Sequence, residues 1–181
     1  MPDRKSPFLA AQESLRVRVP IIASAAPKVA IVPTAQENQK MTTQPFTAGI
    51  DHVGLTVRDL NVTRDFFINC LGWTQVGEKP DYPAAFVSDG KIMVTLWQVA
   101  DSTNRIEFDR KTNVGLHHLA FRVRSEEELG AVFERVSRWP GVKIDFAPEN
   151  LGAGPKRHTM IYEPGGIRLE FDFDPRIQID A

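Results

Sequence analysis

From Gly49 onward the chain carries one pattern twice, and such a repeat restricts the fold more than any single motif does. Residues 89–96 (DGKIMVTL) match residues 164–171 (PGGIRLEF) as a turn followed by an alternating strand, and residues 50–57 (IDHVGLTV) match 116–123 (LHHLAFRV) in the same way. A helix follows each of the latter pair. After Val57, Asp59 or Asn61 can cap a segment with Leu60, Phe66, Phe67, Cys70 and Leu71 at helical spacing, stopped by Gly72. After Val123, Ser125 and Glu128 form a capping box ahead of Leu129, Val132, Phe133 and Val136, and the helix ends near Pro140 and Gly141. Further strands are expected near 74–77, 84–88 and 92–98, and near 143–146, 159–162 and 167–173. The fold class is therefore α+β: two βαβββ modules, at about 49–99 and 114–175, whose curved sheets pair around a cleft, joined by a polar linker at 100–113 within a domain spanning 47–177.

Alternation within three strands selects a set of side chains. In the first, Val53, Leu55 and Val57 share the apolar face, so His52, Gly54 and Thr56 point the other way. By the same rule His118 opposes Leu119, Phe121 and Val123, and Glu170 opposes Leu169, Phe171 and Phe173. Two imidazoles and one carboxylate on the non-core faces of matching strands form a donor set for a divalent cation. By the repeat, Thr95 stands where Glu170 stands in the second half. His117 falls on the core side of its strand, and Cys70 closes its helix as a small core residue.

Composition removes several function classes. The formal net charge of −1 and scattered lysines and arginines give no field for nucleic acid or an anionic membrane. No apolar run is long enough to span a bilayer. With 1 cysteine there is no intrachain disulfide and no cysteine-based zinc site, which suits a reducing, cytoplasmic setting. Residues 1–46 are proline-bearing, with more basic than acidic residues and no sustained period, and read as a disordered extension. Val19 to Ala26 has the composition of a signal-peptide core, but Pro20, Pro27 and its distance from the start argue against that role. Met41 is a candidate start.

The stretches 50–60, 66–72, 118–123 and 162–171 together resemble the vicinal-oxygen-chelate superfamily, the glyoxalase/bleomycin-resistance/extradiol-dioxygenase fold, over Gly49 to Pro175. The resemblance implies metal ligands at the first and last strands of the modules, hence His52, His118 and Glu170, and a single divalent ion per site, Fe, Mn, Ni or Zn. It also implies a homodimer whose modules pair within one chain or across two. This sequence departs from the four-ligand glyoxalase I pattern at Thr95, from the extradiol pattern at Met160, and from the fosfomycin-transferase pattern at Gly54.

Other side chains fall on or near the cleft. Thr56, Thr95, Trp97, Gln98 and His158 are candidate substrate contacts, and no catalytic base is identified. The function expected is a metal-dependent lyase, isomerase or dioxygenase that chelates two adjacent oxygens of a small organic substrate. An Fe(II) ring-cleaving dioxygenase is one alternative, and a non-catalytic ligand-sequestering protein is another.

Overall fold

The computed structural model describes residues 45–178, so the expectations for the N-terminal extension and for Met41 lie outside the described residues. Strand β1 (His52–Val57) leads through Asp59 into helix α1 (Leu60–Asp65), which continues as a π-helical segment (Phe66–Cys70). Strands β2 (Thr74–Lys79), β3 (Ala84–Ser88) and β4 (Met93–Gln98) complete the first module. The second repeats the order with β5 (Leu119–Arg122), α2 (Glu126–Ser137), β6 (Lys143–Asn150), β7 (Arg157–Tyr162) and β8 (Arg168–Phe173). The sheets have matching orders, β1-β4-β3-β2 and β5-β8-β7-β6, with the first and last strands of each module parallel and the other pairs antiparallel. These are the α+β modules expected from the repeat.

Local chemistry explains where the helices begin and stop. Asp59 accepts from the Asn61 and Val62 amides at 3.0 and 3.1 Å. The Leu60 amide goes to the Gln98 side-chain oxygen at 2.7 Å. Donors that have no partner inside the helix are thus capped by the adjacent Asp59 and from the end of β4. Gly72 ends the segment at φ 77°, a conformation open to glycine at little cost. In α2 the Glu128 amide donates to Ser125 Oγ at 3.1 Å, while the Glu128 carboxylate reaches one residue further back, to the Arg124 amide at 2.8 Å.

Between α1 and Gly72 the hydrogen bonds lengthen by one residue, Leu71 N–H reaching the Phe66 carbonyl at 3.1 Å. This wider turn directs two consecutive aromatics, Phe66 and Phe67, into the interior, both fully buried. They meet the second module there. Phe67 stands edge-on to Phe121 of β5 and to Trp73, with centroids at 6.2 and 5.0 Å, and Phe66 is edge-on to Trp139 at 6.3 Å. The apolar faces of both sheets and both helices therefore form one core, including Leu55, Val57, Leu96, Leu129, Leu169 and Phe171. The opposite faces, with His52, Gly54 and Thr56 on β1 and Ala120 and Arg122 flanking Phe121 on β5, turn away from it and are exposed.

A buried carboxylate fastens the modules. Glu163, 1% exposed, accepts from Gly165 and Ile167 amides at 2.8 and 2.9 Å and from the Thr63 hydroxyl of α1 at 3.1 Å. A Cβ on Gly165 would lie 2.5 Å from that hydroxyl, so only glycine fits the turn as it stands. Burial pushes the Glu163 carboxyl above its ordinary range, and the three hydrogen bonds and Arg58 pull it only part of the way back. Its stability contribution is whole below the unfolded value of about 4.5 and is lost as pH rises through the higher folded value, because the unfolded chain releases its proton first. The melting temperature of the wild type relative to Glu163→Gln is accordingly expected to fall as pH rises above 4.5. A difference independent of pH would refute this.

Two expectations require correction. The strand expected over 116–123 begins only at Leu119, leaving His117 and His118 ahead of the β5–β8 ladder. His117 is consequently exposed rather than core-facing, since strand alternation does not govern a residue outside the strand.

Candidate metal and substrate site

Glu170 lies in the middle of β8, opposite Ala120 of β5 and Met160 of β7. Its carboxylate is divided between two imidazoles. His118 Nε2 is 3.0 Å from Oε2, and His158 Nδ1 is 2.6 Å from Oε1. A carboxylate only accepts, so His158 carries its proton on Nδ1, and its buried ring, tilted against Phe146 with centroids 4.8 Å apart, holds the orientation of Glu170. Oε2 is left on the His118 side. His118 Nδ1 lies 2.8 Å from His117 Nδ1, which fixes its ring from behind. Desolvation, then the proximity of Arg168, His118 and Arg110, holds His117 below its ordinary pKa.

The first sheet presents a different surface. His52 Nδ1 is 2.7 Å from Asp51 Oδ2, and the same reasoning places a proton on Nδ1 and leaves Nε2 with its lone pair. Its side chain is 49% exposed. Thr95 pairs with Gly54 as Glu170 pairs with Ala120, so the repeat equivalence holds in register. Its hydroxyl is committed elsewhere: it accepts from the Trp97 indole N–H at 2.9 Å and reaches the Val53 carbonyl at 3.5 Å. With its N–H used, Trp97 offers a ring face, flanked by Tyr82 and Phe86 with centroids at 5.3 and 5.9 Å. Gln98 donates to the Arg58 carbonyl at 2.7 Å and accepts from Leu60, so its amide braces the start of α1.

The chain thus brings His118, Glu170 and His158 together and leaves His52 apart. Among the described residues no three His, Cys, Asp or Glu side chains converge so as to hold a metal ion. The His118 and Glu170 pair nevertheless fits one: donors on adjacent positions of a single ion at roughly 2.1 Å lie about 3 Å apart. Both β1, which starts at His52, and β5, which follows His118, are edge strands of their sheets. A cavity of about 800 Å³ takes in Thr56, but none of the other candidate contacts or ligands. It opens between the end of β1, the linker and the start of β8.

The profile of the glyoxalase/bleomycin resistance protein/dioxygenase superfamily matches residues 49–171, spanning both sheets and all three ligand candidates. The chain belongs to this superfamily. Among its members, a 2-epi-5-epi-valiolone epimerase from an Actinomyces species is 28% identical over 148 residues, covering 70% of this chain and 79% of that protein. A glyoxylase/bleomycin resistance protein/dioxygenase domain from Frankia sp. EAN1pec is 27% identical with a TM-score of 0.60, covering 70% of this chain and 98% of that one. A glyoxalase-related enzyme from Fulvimarina pelagi has a TM-score of 0.59 at 21% identity, with coverages of 75% and 94%.

Within this superfamily fold, two contacts escape a period-two reading. Asp51, which fixes the His52 tautomer, was signalled only by adjacency. Asp172 lies two residues beyond Glu170 on the same face, buried, with Oδ2 3.1 Å from Lys156 Nζ and Oδ1 without a hydrogen-bond partner. Its alternation with Phe171 and Phe173 was visible, but its pairing with a loop lysine was not.

Proposed function

We propose that this protein is a divalent-metal enzyme that moves a proton next to a carbonyl in a small substrate with adjacent oxygens, an isomerase or epimerase in type. The active form is a homodimer in which His52 of one chain joins His118 and Glu170 of another around Fe, Mn, Ni or Zn. The observation that carries this reading is the 3.0 Å approach of His118 Nε2 to Glu170 Oε2, with His52 held apart on another exposed edge strand and its Nε2 free. A second chain could supply the missing donor by laying its β1 beside β5, which would also cover two uncovered edges.

A divalent cation bound there supplies a Lewis acid for adjacent substrate oxygens, offsetting negative charge that develops on them. The chain's own residues do the rest. His158 keeps Glu170 turned toward His118, Asp51 keeps His52 in the ligating tautomer, and Trp97, pinned by Thr95, walls the cleft with an apolar ring. Commitment of the Thr95 hydroxyl to Trp97 argues against a fourth ligand and so against the four-ligand glyoxalase chemistry. The epimerase relative supports proton transfer over ring cleavage. Among the described residues no helix is long and apolar enough to cross a membrane, and a cytoplasmic setting is in keeping with the single cysteine.

Elemental analysis of protein purified without an affinity tag is expected to find about one such ion per chain, lost in His118→Ala. No bound metal after reconstitution with each of the four ions would overturn the enzyme reading and favour a ligand-sequestering protein.

A further inference from the structure

The cavity beside the linker is lined by more positive than negative side chains, and its charges are unevenly matched. Arg58 and Arg105 both pair with Glu107, each at 2.7 Å, and Arg168 pairs with Asp145 at 2.6 Å. Arg110 and Lys111 have no such carboxylate among the described residues. Arg110 feels Asp145 and Asp109 at longer range, but its direct contacts are neutral groups, its Nε 3.4 Å from the Tyr162 hydroxyl and its Nη1 3.5 Å from His117 Nε2, both long for hydrogen bonds. A guanidinium with five donors and only marginal acceptors has most of its capacity unspent.

The turn that carries the two cations is built without help from a ligand. The Asp109 amide donates to Asn113 Oδ1 at 2.6 Å, the Asp109 side chain accepts from the Lys111 amide at 2.8 Å, and the Asp109 carbonyl accepts from the Asn113 amide at 2.8 Å. Arg110 and Lys111 are thereby held at its tip. The volume, about 800 Å³, suits a small organic molecule.

We propose that this cavity binds the oxyanion group, phosphate or carboxylate, of a small molecule, with Arg110 and Lys111 as the groups that hold it. The inference also bears on the substrate, and there it rests on the reading of Glu170 as a metal ligand. Arg168 at the cavity wall lies on the same face of β8 as Glu170, two residues away, or about 7 Å. One substrate can therefore place its paired oxygens at Glu170 and a charged end among the cavity's arginines. A planar guanidinium reads such a group bidentately, and the lysine adds a point charge.

The test uses the metal-free full-length chain at constant ionic strength, titrated separately with inorganic phosphate and with malonate. The side-chain Nε resonances of the arginines are followed by NMR. Saturable movement of Arg110 Nε with either anion is expected, and the stronger of the two identifies the preferred oxyanion. Arg110→Gln is expected to weaken binding about tenfold or more, and Lys111→Gln by a smaller factor. Arg138→Gln, on the far end of α2, leaves it unchanged. Arg110→Lys recovers part of the loss, which distinguishes recognition of charge from a change of loop structure. Non-saturating shifts spread over all arginines, or equal affinity in wild type, Arg110→Gln and Lys111→Gln, would overturn the proposal. Metal content is measured separately on wild-type protein as purified and after reconstitution. No saturable anion binding by a wild type that takes up metal counts against the cavity alone, whereas anion binding by a wild type that takes up no metal counts against the enzyme reading alone.

Discussion

Mixing His52→Ala protein with Glu170→Ala protein, after dissociation and reassembly, should restore about a quarter of the wild-type metal sites, although neither variant has a complete site by itself. The reasoning is geometric. If each site takes His52 from one chain and the His118 and Glu170 pair from another, a mixed dimer contains one doubly defective site and one intact site. Random pairing makes about half of the dimers mixed, and half of their sites sound. A site formed within a single chain gives no recovery at any mixing ratio. Metal content and catalytic activity should rise together, and zero recovery in properly mixed dimers would rule out the shared arrangement. The test depends on no knowledge of the substrate, because the ion itself reports assembly.

Replacing Phe67 with alanine should cost about 3–5 kcal/mol, the usual range for a fully buried phenylalanine. For a domain of this size that lowers the melting temperature by roughly 10–20 °C. Phe67 is 0% exposed and stands edge-on to Phe66, Trp73 and Phe121, so its ring belongs to both modules at once. The loss is therefore expected in the unfolding of the whole domain, measured by denaturant titration, and not in one half alone. A cost below about 1 kcal/mol would mean that the interior relaxes to fill the gap, contrary to the close packing inferred at this junction.

Much of the architecture was legible because strand faces follow a strict period. Val53, Leu55 and Val57 against His52, Gly54 and Thr56 sorted themselves into inner and outer faces by alternation, and the structure keeps that sorting. The helix starts were legible because Asp59 and Ser125 are residue types that accept from free amides. What alternation cannot convey is where a strand begins. His117 was misassigned for that reason, since Leu119 is the first residue of β5 and the two histidines precede it. Nor can a local pattern show which partner a polar side chain finds across the fold. Gln98 and His158 are both candidate substrate contacts by position, yet nothing local shows that the Gln98 amide braces α1 or that the His158 ring meets Glu170. Of the ligand set, the sequence named three side chains of suitable chemistry. Their division into a converging pair and a separate histidine depends on how the modules pack through Phe67 and Phe121, a long-range contact with no signature in either segment.

The π-helical segment also bears on how the two halves of the chain can be compared. A π turn holds one more residue than an α turn over nearly the same axial rise, so a helix containing one carries an insertion that its length in space conceals. The helix of the second module, Glu126–Ser137, is α-helical throughout. The offset between matching residues grows from 66 at Gly54 and Ala120 to 75 at Thr95 and Glu170, so longer connections in the second module outweigh the residue that the π turn adds to the first, and no fixed offset aligns the two halves.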